Sequence, residues 1–138
     1  MQVRHHLRNF RQLEMSNKKN VILYCRVNRN DQKEGVEKQK DLLIKHCKEN
    51  GFSVTTVIED VRSGMKQISE ETYALLQKYQ KEAKTIFVSR WDRLSRNINY
   101  LVNDMRRLEK MGFDISVVDR QVTLDYKNII NGLLHEEK

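Results

Sequence analysis

The chain has 138 residues, 38% of them hydrophobic and 33% charged, with 5 glycines and no proline; that supports one domain with a real core and excludes both a pair of ordinary domains and a loop-rich or disordered chain. A formal net charge of +7 favours polyanionic partners, although a solvated lysine-rich surface carries the same charge. No apolar run approaches the roughly 18 to 20 residues of a membrane span, which excludes a helical integral membrane protein.

The opening "MQVRHHLRNFRQLE" is basic and weakly amphipathic, with Val3, Leu7, Phe10 and Leu13 near helical spacing. Residues 1–19 read as a basic extension ahead of the domain, frayed, or left by a true start at Met15. The domain then occupies residues 20–138. "NVILYCRV" is a buried strand, and "DQKEGVEKQKDLLIKHCKEN" a helix carrying Val36, Leu42, Leu43 and Cys47, stopped by Asn50-Gly51. "FSVTTVIED" is the next strand. "SEETYALLQKYQKEA" is a helix capped by Ser69, "KTIFVS" a strand, and "NINYLVNDMRRLEKMG" a helix with the stripe Ile98, Leu101, Met105, Leu108 and Met111, closed by Gly112. "DISVVDR" is a fourth strand and "YKNIINGLLHEEK" an interrupted final helix.

Strands alternating with helices predict an α/β fold, a mostly parallel four- or five-stranded sheet with helices on both faces. Cys25 and Cys47 read as buried thiols of a reducing, cytoplasmic setting, since no signal-peptide pattern precedes them. His46 and Cys47 are adjacent, so one helix cannot aim both at one ion, and no Cys-x-x-Cys occurs; no metal is expected.

Ligands of such sheets collect at the carboxyl ends of the strands. Those ends carry Arg26 to Gln32, then Glu59, Asp60 and Arg62-Ser63-Gly64, then Arg90 to Arg96. In "WDRLSRN", Arg93 and Arg96 stand at i and i+3, so a helix beginning near Asp92 projects both from one face of its first turn. Cations there oppose the helix dipole at a cost of a few tenths to about 1 kcal/mol, which an anion would offset. With Arg26 and free backbone N–H groups they form a phosphate cradle. The same spacing also fits a surface ionic cluster in which Asp92 and Glu59 or Asp60 pair with these arginines. Neither a Gly-x-x-x-x-Gly-Lys-Ser/Thr nor a Gly-x-Gly-x-x-Gly loop is present.

The order "YCRVNRNDQ", "EDVRSG" and "WDRLSRN" resembles the catalytic domain of the serine site-specific recombinases, the resolvase/invertase family, over about residues 20–120. The resemblance implies an α/β domain whose serine hydroxyl attacks a DNA phosphodiester to form a phosphoserine link, with DNA as partner through its phosphate backbone and no cofactor. It implies that Arg26, Arg93 and Arg96 hold the phosphate, that Asp92 and Asp60 organise them, and that Gln32 and Gln39 support the first loop. It further implies a homodimer, or a heterodimer with an intact recombinase.

Three departures accompany the resemblance. The family's nucleophile follows Arg-Val, and that position is Asn28, whose carboxamide nitrogen is conjugated into its carbonyl and does not attack phosphate. Ser95 and Ser63 match non-nucleophilic positions. Where the family shows Asp-Arg after the Ser-Gly turn, this chain has Ile68 and Ser69. The chain is also expected to be truncated at the dimer helix, where Gly132 weakens Ile129, Ile130, Leu133 and Leu134 by about 1 kcal/mol relative to alanine, and to lack a carboxyl-terminal DNA-binding domain. The expectation is a recombinase homologue defective in catalysis, with a module that docks onto or regulates an intact recombinase as the alternative.

Overall fold

The computed structural model describes residues 19–28, 33–63 and 65–119. Among them the elements are β1 (Asn20–Val27), α1 (Lys33–Asn50), β2 (Ser53–Val61), α2 (Glu70–Lys78), β3 (Thr85–Val88), α3 (Trp91–Leu94), α4 (Ile98–Lys110) and β4 (Asp114–Val117). The four strands form one all-parallel sheet in the order β2-β1-β3-β4, as the alternating pattern predicts. The basic segment over residues 1–18, Gln32 and the helix expected over residues 126–138 lie outside the described residues.

β1 is the spine because it is apolar on both faces. Successive side chains of a strand point to opposite sides. Ile22 and Tyr24 therefore join Ile58, Leu76, Ile86, Leu101 and Leu108 on the side covered by α2 and α4, while Val21, Leu23 and Cys25 meet Leu43, Cys47 and Phe87 on the side covered by α1. Every residue from Val21 to Arg26 is at most 1% exposed. Both cysteines are free and buried.

Two helices end by the same device. Gly51 (φ 75°) and Gly112 (φ 89°) adopt the left-handed conformation that an L side chain resists. The next residue then turns inward: the N–H of Phe52 donates to the Cys47 carbonyl at 2.9 Å, and that of Phe113 to the Leu108 carbonyl at 3.0 Å. Each phenylalanine packs with the cluster that holds its hydrogen-bond partner.

Three expectations need correction. Leu42 is 42% exposed, because the inward stripe of α1 runs through Val36, Gln39, Leu43 and Cys47, one position out of phase with it. α2 stops at Lys78 instead of reaching Ala83, since Tyr79 to Ala83 turn to feed β3 and Ala83 is fully buried there. The helix expected near Asp92 is the single turn α3, separated from α4 by Ser95 in an extended conformation (φ −160°, ψ 150°).

A buried carboxylate joins α2, α4 and the loop before α2. Asp104 accepts from the Tyr73 hydroxyl at 2.6 Å and from the Ile68 N–H at 3.2 Å. Burial raises its pKa above the ordinary carboxylate range, against the lowering effect of those two hydrogen bonds and of Arg62 and Arg107. Among the described residues no helix is long and apolar enough to cross a membrane.

Phe113→Ala removes a wholly buried ring and is expected to cost about 3–5 kcal/mol in denaturant unfolding. Asp104 offers a pH test. A carboxyl whose folded pKa is raised contributes stability that is full below its unfolded value of about 3.9 and is lost as pH rises through the folded value. The stability of the natural protein minus that of Asp104→Asn should therefore fall as pH is raised from about 4 towards 7, read by thermal unfolding at each pH; a flat difference rejects the assignment.

Candidate functional site

β1 ends by carrying a charge into the interior. Arg26 is 0% exposed, and removing a cation from water costs several kcal/mol unless a partner compensates. No carboxylate among the described residues bonds it. Its Nη1 donates to Asn28 Oδ1 at 2.6 Å and to the Arg62 carbonyl at 3.4 Å; its Nη2 donates to the Asp92 carbonyl at 3.3 Å; its Nε has no partner. Arg26 and Asn28 meet because residues two apart in extended chain share a side. Burial lowers the Arg26 pKa, and the nearby cations Arg96, Arg62 and Arg93 lower it further, yet a guanidinium remains charged.

β2 ends in the opposite arrangement. Asp60, the cross-strand neighbour of Arg26 in the register, turns to Arg62, whose Nε donates to Asp60 Oδ2 at 2.8 Å. The Tyr24 hydroxyl donates to the same oxygen at 2.5 Å and that of Thr72 to Oδ1 at 3.0 Å. Arg62 Nη2 donates to the Tyr24 hydroxyl at 2.9 Å and to the Leu94 carbonyl, and its Nη1 to the carbonyls of Lys66 at 2.5 Å and Ser63 at 3.4 Å. Burial pushes the Tyr24 phenol far above its ordinary pKa, the Arg62 cation opposing and Asp60 reinforcing the shift. Arg62 is thus spent on holding β1, β2 and the end of α3 together.

The third edge is α3 and the link after it. Trp91 and Leu94 anchor the turn in the core, leaving Asp92 and Arg93 half-buried. Asp92 Oδ1 lies 3.3 Å from Arg90 Nε, an ion pair whose alignment makes no hydrogen bond. Ser95 is fully buried, its hydroxyl donating to the Asn97 carbonyl at 3.1 Å and accepting from the Asn97 N–H at 3.2 Å. Arg96 is exposed. Ser63 is also exposed, and its hydroxyl accepts from the Met65 N–H at 3.2 Å.

Arg26, Arg93, Arg96, Asn28 and Asp92 therefore gather at one edge. The fold supplies the convergence of Arg93 and Arg96, since Arg96 is not on the helical turn. Asp60 and Glu59 do not join the three arginines: Asp60 serves Arg62, and Glu59 pairs with Lys40. Asp92 reaches Arg26 through its backbone carbonyl. Gln39 Nε2 donates to the Arg26 carbonyl at 3.2 Å. The sequence placed Arg62 at this edge without its pairing to Asp60 and passed over Tyr24, although the i, i+2 spacing of Asp60 and Arg62 mirrors that of Arg26 and Asn28. Among the described residues no three His, Cys, Asp or Glu side chains gather to hold a metal ion.

Comparison with known proteins gives this edge a context. Residues 21–135 match the family model described as the resolvase N-terminal domain. The fold is similar to the N-terminal catalytic domain of TP901-1 integrase (TM-score 0.64, 20% identity, 83% of this chain and 92% of that one). It is also similar to a resolvase-family site-specific recombinase from Streptococcus pneumoniae (0.60, 19%, 86% and 87%) and to the C-terminal catalytic domain of ISC1926 TnpA, an IS607-like serine recombinase (0.57, 25%, 83% and 79%). No curated protein matches the chain.

Arg62→Met breaks a buried pair and strands Asp60 without its cation. Chemical denaturation should show a loss of about 3–5 kcal/mol, against about 1–3 kcal/mol for Tyr24→Phe, which removes one hydroxyl from the network.

Proposed function

Because the chain belongs to the resolvase family of serine recombinases and carries that family's N-terminal domain, we propose that it is a site-specific DNA recombinase homologue that engages the phosphate backbone of DNA and does not cut it. One observation carries the reading: a wholly buried guanidinium, Arg26, that no described carboxylate neutralises, beside Arg93 and Arg96. A phosphodiester is the anion such a cluster suits, since charge-assisted bonds to phosphate are the strong ones.

The loss of cutting follows from the atom at the nucleophile position. The family reaction forms a bond between a serine oxygen and phosphorus while the 3′ oxygen of DNA leaves. Asn28 brings a carboxamide, whose nitrogen lone pair is delocalised into the carbonyl. Neither Ser63 nor Ser95 offers a rescue, because Ser95 is enclosed and both hydroxyls are already engaged. The arginines, organised by Asp92, would then hold a phosphate without a group to attack it.

A second reading, docking onto an intact recombinase, draws on Val61 and Met65, which are 62% and 56% exposed on either side of the buried Arg62. Polar, uncharged replacements there, Val61→Gln with Met65→Gln, abolish co-purification with such a partner if it holds, and leave DNA binding unchanged.

Duplex-DNA anisotropy across a salt series separates the readings. The slope of log affinity against log salt should become shallower by roughly 0.9 for each phosphate that Arg93→Ala/Arg96→Ala no longer neutralises; equal slopes reject the cradle. A covalent protein–DNA product from Asn28→Ser that survives denaturation shows the rest of the site to be intact, and such a product from the natural chain would overturn the loss of cutting.

A further inference from the structure

Asn28 does more at this edge than fail as a nucleophile. A guanidinium only donates, so the end of the carboxamide that faces Arg26 is the oxygen by chemical necessity. At 2.6 Å it is the short acceptor on Arg26; the two backbone carbonyls stand at 3.3 and 3.4 Å. Arg26 has no surface that solvent can reach, whereas Asn28 is half-buried above it, Arg93 is half-buried and Arg96 is exposed. A ligand arriving from solvent thus meets Arg93 and Arg96 first, and among the described side chains it is Asn28 that already holds Arg26 Nη1.

We infer that Asn28 is the residue that sets the anion specificity of this edge: its carboxamide oxygen occupies the seat on Arg26 Nη1 that a phosphate oxygen would take, and so reserves binding for ligands held by Arg93 and Arg96. The inference rests on the phosphate-holding reading above and deepens it. The device is a neutral internal ligand. It gives the buried cation a dipole to face in the absence of DNA, and it withholds that cation from small anions, which lack the additional anchoring of a long polyanion needed to displace the carboxamide.

The test is titration of the full chain with inorganic phosphate at low salt, followed by calorimetry. Asn28→Ala unseats the internal ligand and should bind phosphate roughly tenfold more tightly than the natural protein, the worth of one charge-assisted hydrogen bond. Asn28→Asp keeps the shape, caps Arg26 with a charge and should bind phosphate more weakly than the natural protein; it also serves as the folded variant if the alanine form is unstable. Equal or weaker binding by folded Asn28→Ala, or undiminished binding by Asn28→Asp, overturns the inference. In either case a weakened Arg93→Ala/Arg96→Ala variant shows that the cradle itself stands. If none of the proteins binds phosphate, the cradle and the inference fall together.

Discussion

The constraint on which the rest depends is a positive charge at the end of the most buried strand. β1 is enclosed on both faces, and its run of apolar side chains delivers Arg26 into the same enclosure. Among the described residues its partners are dipoles and not anions: the Asn28 carboxamide and two backbone carbonyls. Such a centre is tolerable only if the surrounding elements are fixed. The network of Asp60, Arg62, Tyr24 and Thr72 supplies that fixity.

The two strand ends illustrate two uses of an arginine. Arg62 has an acid, a phenol and three carbonyls for its donors; its charge is cancelled locally and its geometry is spent on architecture. Among the described residues no carboxylate cancels the charge of Arg26, which is pressed by the neighbouring cations. A site for an anion needs both, since a field without a frame would relax the guanidiniums apart.

Much of the fold was legible. The alternation of strands and helices, the two-sided burial of β1 and the Gly-Phe helix ends each arise from local rules that spacing reveals. The gathering of polar residues was legible for the same reason: parallel strands carry their ends to one edge, so Arg26, Asp60 and Arg93 had to approach one another. What spacing hid was pairing. Asp60 has Arg26 as its cross-strand neighbour and Arg62 two residues on, just past the end of β2, and it bonds Arg62, with the Tyr24 hydroxyl donating to the same carboxylate oxygen. The start of α4 at Asn97 was legible, since Asn97 caps the Tyr100 N–H; the break at Ser95, whose extended conformation takes Arg96 off the turn, was hidden. Gln39 was named through the resemblance alone; its place in the stripe of α1 brings it beneath the Arg26 carbonyl.

That break has a consequence for how such a domain diversifies. Had Arg93 and Arg96 shared one helix, their spacing would be a fixed property of the helical pitch, and no neighbour could adjust it. Here Arg93 rides on a turn pinned by Trp91 and Leu94, while Arg96 belongs to the short link that leads into α4. The distance between the two guanidiniums is a variable that the packing of α4 sets. Drift in the core beneath Leu101 and Met105 can therefore change that separation while Arg93 and Arg96 themselves stay the same.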